Sequence, residues 1–442
     1  MTGDASLGYT AAANKRAGAP SPPPRARTAK RNPHVTDAPH NAPTIVCLAS
    51  FFKGTDFLRE AKRQRARVVL VTKERCRHDD WPHDSLDEFV VLPPDAGPDD
   101  FGHAVTQIAR QQRVARLVAL EEFDVQTAAH IREHLRLPGL DATTARRFRD
   151  KLAMREAARA AGIRVPEFVH ALNYEAIHDY MQSTPPPWVL KPRTDVSAIG
   201  IRKLHDAEQV WRALDELDAR ARVHERAPYH LLERFVPGDV FHVDGLVLDG
   251  EVLFAGVNCY GRPPMNVAHE GGVFLSYTVA HDAPERAELL RLNQAVVKAL
   301  GLRRGATHAE FIRGTADGAF YFLEIAARVG GAYIAETHEA ATGVNLWREW
   351  ARLELTDASR PYELPPVRHD YAGIALSLAR QEWPDTSAFN DTEIAYRVRK
   401  RHHVGLVVRA PEQGRVRELL DDYARRFITD FSAVAPPLER AE

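Results

Sequence analysis

The sequence predicts an α/β domain followed by a larger α+β body. Three observations carry that class. Short apolar strands alternate with helical segments from Thr44 to about Leu120, and turn pairs such as Pro237-Gly238 and Asp249-Gly250 then punctuate β-rich segments. The third is size: 442 residues at 44% hydrophobic content are enough to bury a large core.

Residues 1–43 are rich in Ala, Pro, Arg and Thr, include "SPPPRAR", and lack both periodicity and an apolar signal core. They read as a disordered extension; few acids and several arginines make a transit peptide the competing reading. Residues 44–140 run "TIVCLAS", a helix near Asp56 to Arg65, "RVVLVT", "EFVVLP", a helix around Phe101 to Gln111 and "RLVAL". That rhythm is a Rossmann-like parallel unit, and without G-x-G-x-x-G no nicotinamide cofactor is indicated. Residues 141–236 open with helix from about Ala142 to Ala161, pass through strand, polar loop and strand in "PPPWVLKPRTDVSAIGIRKL", and include a helix near Asp206 to Ala221. Residues 237–360 are antiparallel and close with the helix "VNLWREWARLEL". Residues 361–442 hold the strand "VGLVVRA" and a helix from Gly414 to Phe427, expected as a small C-terminal lobe.

Net charge is −1 with both signs interspersed, which excludes the basic footprint of a nucleic-acid or polybasic membrane binder. No apolar run approaches the roughly 20 residues of a membrane helix. Cys47, Cys76 and Cys259 are odd in number and scattered, as expected of reduced thiols in a cytoplasmic protein.

The chemistry concentrates in "HAEFIRGTADGAFYFLEIAARVGG". A hairpin turning at Asp317 sets Glu310 directly opposite Glu324 on one face. Carboxylates about 5 Å apart repel, and apolar neighbours such as Phe311, Phe322 and Leu323 make the repulsion worse. A divalent cation resolves the conflict; hard oxygen ligands without cysteine favour Mg²⁺ or Mn²⁺. The competing reading is a solvated face with a surface ion pair. Arg328, four residues beyond Glu324, has the same strand parity and suits phosphate or carboxylate oxygens.

Only ten of the 59 Lys and Arg residues are lysines, so Lys151 and Lys191 stand out. Lys191 ends the apolar run "PWVL" and precedes "PRTDVSAIG", small and hydroxylated residues including Ser197 whose amides suit phosphates. An edge lysine beside a flexible turn is the plainer alternative, and a solvated helix start is that for Lys151.

Taken in order, "DKLAMREAARAAGIRVP", "VLKPRTDVSAIGI", "LLERFVPGD", "HAEFI" and "FLEIAARVGG" resemble the ATP-grasp superfamily over roughly Lys151 to Leu355. The resemblance implies an adenine held between two α+β lobes, with Lys151 and Lys191 on ATP phosphates. It implies that Glu233 accepts from the adenine amine or a nearby donor, and that the backbone of Phe235 and Val236 lines the adenine cleft. Glu310 and Glu324 would hold Mg²⁺, and Arg328 would neutralise the transferred phosphoryl group or an acyl phosphate. Two positions depart from the family pattern. Val240 stands where an acid often meets ribose, leaving Asp239, His242 or Asp244 as substitutes. Ala326 replaces an asparagine used as a further metal ligand, and "EIAARVGG" instead resembles the amino-acid ligase branch, as does "HVGLVVRAPEQGRVRELLDDYARRF".

The implied activity is an ATP- and Mg²⁺-dependent carboxylate–amine ligase working through an acyl phosphate. Its partners are a small-molecule carboxylate and amine, with a homodimer left open. The stretch holding Tyr260, Arg262, His269 and Gly271-Gly272 suits a substrate wall. A small-molecule kinase or carboxylase and a non-catalytic ATP-binding module are the alternatives.

Overall fold

In the computed structural model, which describes residues 42–194, 200–220, 229–265, 267, 271–357 and 360–433, β1 (Thr44–Ala49) is buried along its whole length. It sits inside a parallel sheet with β2 (Arg67–Lys73), β3 (Glu88–Leu92) and β4 (Val114–Ala119), in the order β3-β2-β1-β4. Strands covered on both faces need continuous apolar runs. Val46, Leu48, Val69 and Val71 pack with Phe101, Val105 and Ile108 of a helix over Pro98–Gln111, while Ile45, Cys47, Val68 and Leu70 pack with Phe57 and Leu58 of a helix over Thr55–Arg63. The three cysteines are free and buried, and burial pushes the Cys47 thiol far up, which makes it inert.

The expected helix from Ala142 to Ala161 is two helices, α1 (Ala142–Arg147) and α2 (Lys151–Ala160). Asp150 breaks the run: its extended backbone and its carboxylate, which accepts from the Leu152 amide at 3.0 Å, make it an N-cap. The break makes Lys151 the first residue of α2. A second sheet follows, β5 (Phe168–His170), β6 (Trp188–Pro192), β7 (Arg202–Leu204) and β8 (His230–Arg234), antiparallel in the order β5-β8-β6-β7.

The largest sheet has eight strands: β9 (Gly238–Leu248), β10 (Glu251–Tyr260), β11 (Phe274–Thr278), β12 (Arg304–Gly314), β13 (Phe320–Ala326), β14 (Tyr371–Leu378), β15 (Ile394–Arg397) and β16 (His403–Ala410). Its order is β13-β12-β9-β10-β11-β14-β16-β15. Asp249 and Gly250 both adopt left-handed backbone between β9 and β10, the conformation a two-residue hairpin turn requires. Through the β11–β14 pairing, the strands of the expected small C-terminal lobe continue this sheet. A helix over Pro284–Leu300 covers one part of it, and α3 (Ile334–Thr342) packs on β14 and β16. Among the described residues no helix is long and apolar enough to cross a membrane.

Candidate active site

The β12–β13 hairpin pairs Glu310 with Glu324. Register slips by one between Glu310 and Phe311, so that Phe311 faces Phe322 and Leu323 is the extra residue. The Leu323 carbonyl accepts from the Arg155 guanidinium of α2, and both Leu323 and Glu324 turn to one cleft. This cleft, ≈ 580 Å³, lies among the three sheets. Small-molecule sites run to about 300–1,000 Å³.

The paired glutamates have different partners. Glu310 Oε1 accepts from the Tyr260 hydroxyl at 2.8 Å and stands 3.5 Å from His308 Nε2. Burial opposes its ionisation, but His308 and Tyr260 hold the carboxyl below its usual range. Glu324 Oε2 lies 3.1 Å from Lys151 Nζ. Burial also works against a charged His308, yet Asp244 on one side and Glu310 on the other push it up to about 10.

Lys191 and Glu233 are diagonal neighbours on one face of β6 and β8, since Lys191 pairs with Leu231 and Val189 with Glu233. Their side chains meet at 2.5 Å. The other Glu233 oxygen accepts from Arg155 Nε at 3.2 Å and from its terminal nitrogen at 3.0 Å. Burial pushes Lys191 down to about 8, with Glu233 opposing the shift. Burial likewise raises Glu233, but Arg155 and Lys191 outweigh it and keep the carboxyl low. The expected role of Glu233 as an adenine acceptor meets a constraint here: both its oxygens already serve buried cations.

Arg328 lies two residues past the end of β13, so strand parity does not place it. It is held by Glu122, whose Oε2 accepts from Nε at 3.0 Å and from a terminal nitrogen at 2.5 Å. Arg149 takes the other Glu122 oxygen at 2.6 Å. Burial would raise Glu122; the two arginines instead bring it down to about 2. Glu121 and Glu122 follow β4 at the carboxyl end of the parallel sheet, the edge where open α/β sheets bind ligands. That rule could have selected "EEFD" from the sequence. Lys53 Nζ, 3.0 Å from Glu121 Oε2, completes this charged end.

Lys151, Lys191, Glu233, Phe235, Val236, Glu310, Glu324 and Arg328 therefore border one cleft. Two expected ligands do not reach it. Asp239 is exposed and lies on the opposite face of β9 from the buried, cleft-lining Val240. His242 shares the parity of Val240 but is wholly buried, with its ring nitrogens engaged by Asp244 and Ser276. Ser197 and His269 lie outside the described residues. Tyr260 borders the cleft beside Pro263, Pro264 and Met265 from the expected substrate wall.

Residues 184–336 match the ATP-grasp domain family. The fold is that of the ATP-grasp superfamily. A curated relative, the L-arginine-specific L-amino acid ligase of Bacillus subtilis, is 26% identical over 240 residues, 54% of this chain and 57% of that protein. The chain thus spans little more than half the length of that ligase. Among solved structures, the L-amino acid ligase from Bacillus licheniformis superposes with a TM-score of 0.68 at 19% identity, over 92% of this chain and 100% of that one. The biotin carboxylase domain of Hydrogenobacter thermophilus 2-oxoglutarate carboxylase, solved with MgADP and bicarbonate, gives 0.66 at 16% identity, over 88% and 90%. At such identities these likenesses speak to the fold.

Proposed function

We propose that the protein is an ATP- and Mg²⁺-dependent ligase that joins a carboxylate to an amine, acting on amino acids or small acids. The carrying observation is the opposed Glu310–Glu324 pair in a cleft that also holds Lys151, Lys191 and Arg328. Opposed carboxylates with hydroxyl and cation partners fit a hard divalent ion. Mg²⁺ held by Glu310 and Glu324 would supply charge neutralisation for the triphosphate.

The chain's own residues do the rest. Lys191, and Lys151 at the start of α2, direct ammonium groups at phosphate oxygens, while Phe235 and Val236 border the cleft where an adenine would lie. Arg328, fixed by Glu122 beside Glu121 and Lys53, adds guanidinium charge to the same cleft. There Glu121, Glu122, Lys53 and Arg328 give alternating charge suited to a zwitterionic amino acid. A substrate carboxylate attacks the γ-phosphorus, ADP leaves, and the acyl phosphate is captured by the amine with release of phosphate. No protein nucleophile is needed, so positioning and electrostatics carry the rate. The ligase name of the curated relative supports this branch over a carboxylase, and the buried free cysteines support a reducing, cytoplasmic setting.

The test is a trapping experiment. With ATP, Mg²⁺ and the correct acid but no amine, added hydroxylamine should give a hydroxamate and ADP by mass spectrometry. A stable phosphoester would identify a kinase; AMP and pyrophosphate would replace the acyl phosphate by an adenylate.

ATP affinity should also depend on pH through Lys191. The ammonium that holds phosphate is present below about 8 and is lost above it. The apparent Kd for ATP therefore rises as pH passes 8, by up to about tenfold per pH unit. Calorimetry between about pH 7 and 9.5 should show this in the wild type and a flatter profile in Lys191→Arg. Equal slopes in the two proteins would remove Lys191 from the phosphate site.

A further inference from the structure

Behind Glu310 lies a cluster that the proposed reaction does not use. Asp244, fully buried on β9, faces three imidazoles from three elements. His242 Nδ1 of the same strand and His338 Nε2 of α3 meet one oxygen at 2.5 and 3.0 Å, and His308 Nδ1 of β12 meets the other at 2.8 Å. His242 Nε2 continues to Ser276 Oγ on β11 at 2.7 Å.

Backbone space is reserved for this cluster. A Cβ on Gly256 would stand 2.2 Å from the His338 ring, and one on Gly330 would stand 2.9 Å from Asp244 Oδ1 and 3.0 Å from His308 Nδ1. Neither glycine needs a left-handed backbone, so close approach is what these positions require.

Three histidines and an aspartate invite a transition-metal reading, but the spacing argues otherwise. Donors bound at about 2.0–2.1 Å around one tetrahedral ion stand about 3.3 Å apart. Here each imidazole nitrogen is within 2.5–3.0 Å of a carboxylate oxygen, the range of direct hydrogen bonds.

His308 joins the cluster to the cleft. Its Nδ1 is fixed by Asp244, and its Nε2 stands 3.5 Å from Glu310 Oε1, the oxygen that also accepts from Tyr260. Among the described residues no hydrogen bond to Glu310 Oε2 is formed. One oxygen is thus pinned from behind while the other is left for the cleft.

We propose that Asp244 is a positioning residue for the metal carboxylate: through His308, and beside the Tyr260 clamp, it fixes the orientation in which Glu310 presents Oε2 to the ion. The inference rests on the reading of Glu310 and Glu324 as metal ligands. A partner that touches a metal ligand directly commonly changes metal affinity about 10- to 100-fold; here His308 is that partner and Asp244 acts one contact further out.

The test measures Mn²⁺ binding to the full-length protein with ADP by electron paramagnetic resonance, and Mg²⁺ dependence of ATP turnover. Asp244→Asn should weaken Mn²⁺ by up to about tenfold, the low end of what loss of a ligand's direct partner causes, and move the Mg²⁺ requirement upward, with kcat largely recovered at saturating Mg²⁺. Because the effect passes through His308, Asp244→Asn combined with His308→Gln should be no weaker than His308→Gln alone. A merely structural role would reduce the folded fraction and leave the metal Kd of the folded protein unchanged. If Asp244→Asn does not fold, His338→Ala, which removes the α3 imidazole from Asp244 and leaves His308 and Glu310 untouched, should show the same kind of change, severalfold in size. A wild type that binds no Mn²⁺ with ADP would overturn the metal-site reading itself. Wild-type Mn²⁺ affinity in folded Asp244→Asn and His338→Ala would overturn only the positioning role. Stoichiometric zinc in the purified wild type, lost in Asp244→Asn, would replace that role with a metal centre.

Discussion

Glu310→Gln and Glu324→Gln should each lower ATP-dependent turnover on the order of 10²- to 10³-fold, with little change in melting temperature. Each removes one of two charges placed opposite each other across β12 and β13. The amide keeps the shape of the side chain, and relief of the like-charge pair offsets part of any lost contact. At Glu324 the lost contact is an ion pair with Lys151, 36% exposed on the carboxylate side and 8% on the lysine side, and the nearby Glu122 carboxylate still faces that lysine's charge. At Glu310 the Tyr260 hydroxyl can still donate to the amide oxygen, and His308 keeps Asp244. Stability and turnover therefore separate. Phosphate release against Mg²⁺ concentration, alongside thermal melting, reads both; near-wild-type release in both variants would reject the metal clamp.

The opposition of the two glutamates was legible because hairpin pairing is local: a turn near Asp317 and a period of two are enough to set Glu310 against Glu324. The same local arithmetic missed the slip at Leu323, which arises where Arg155, far away in sequence, takes the Leu323 carbonyl. Arg328 illustrates another limit. Parity presumes a strand, and β13 ends at Ala326; what brings Arg328 to the cleft is Glu122, 206 residues earlier. His242 and Asp244, two residues apart on β9, lie on one face as a period of two requires. Whether that face meets cleft or core depends on which rings stack over it, and His338, from a helix almost a hundred residues away, closes it.

The outline of the fold was legible for a related reason. Apolar runs in β1, β2 and β4 and the left-handed pair Asp249-Gly250 are properties of a few consecutive residues. The break between α1 and α2 was not read, because helix formers flank Phe148–Asp150 and one cap decides it. Nor was the continuity of the eight-stranded sheet, since β11 and β14 pair across nearly a hundred residues, with no turn to announce the pairing.

Glu233→Gln should be the most damaging substitution for stability, with a loss of about 3–5 kcal/mol. Arg155 is 0% exposed and Lys191 and Glu233 are nearly as buried, so the Glu233 charge is what permits two cations to leave water together. Neutralising it leaves both cations where desolvation is strongest, and Lys191 already sits at about 8 with Glu233 in place. Lys191→Met is different. It removes one cation and leaves Glu233 with its Arg155 fork, so the stability cost is smaller while phosphate binding is lost. The two variants therefore dissociate: Glu233→Gln fails first in urea, Lys191→Met first in ATP affinity. Saturating ATP should restore part of the Glu233→Gln loss, because phosphate oxygens give Lys191 a new counter-charge and binding to the native state alone adds stability. Urea unfolding of both variants with and without ATP reads all of this. Equal stability of Glu233→Gln and wild type would mean that Arg155 and Lys191 do not depend on Glu233, and that the buried triad is no part of what holds the second sheet to the β12–β13 hairpin.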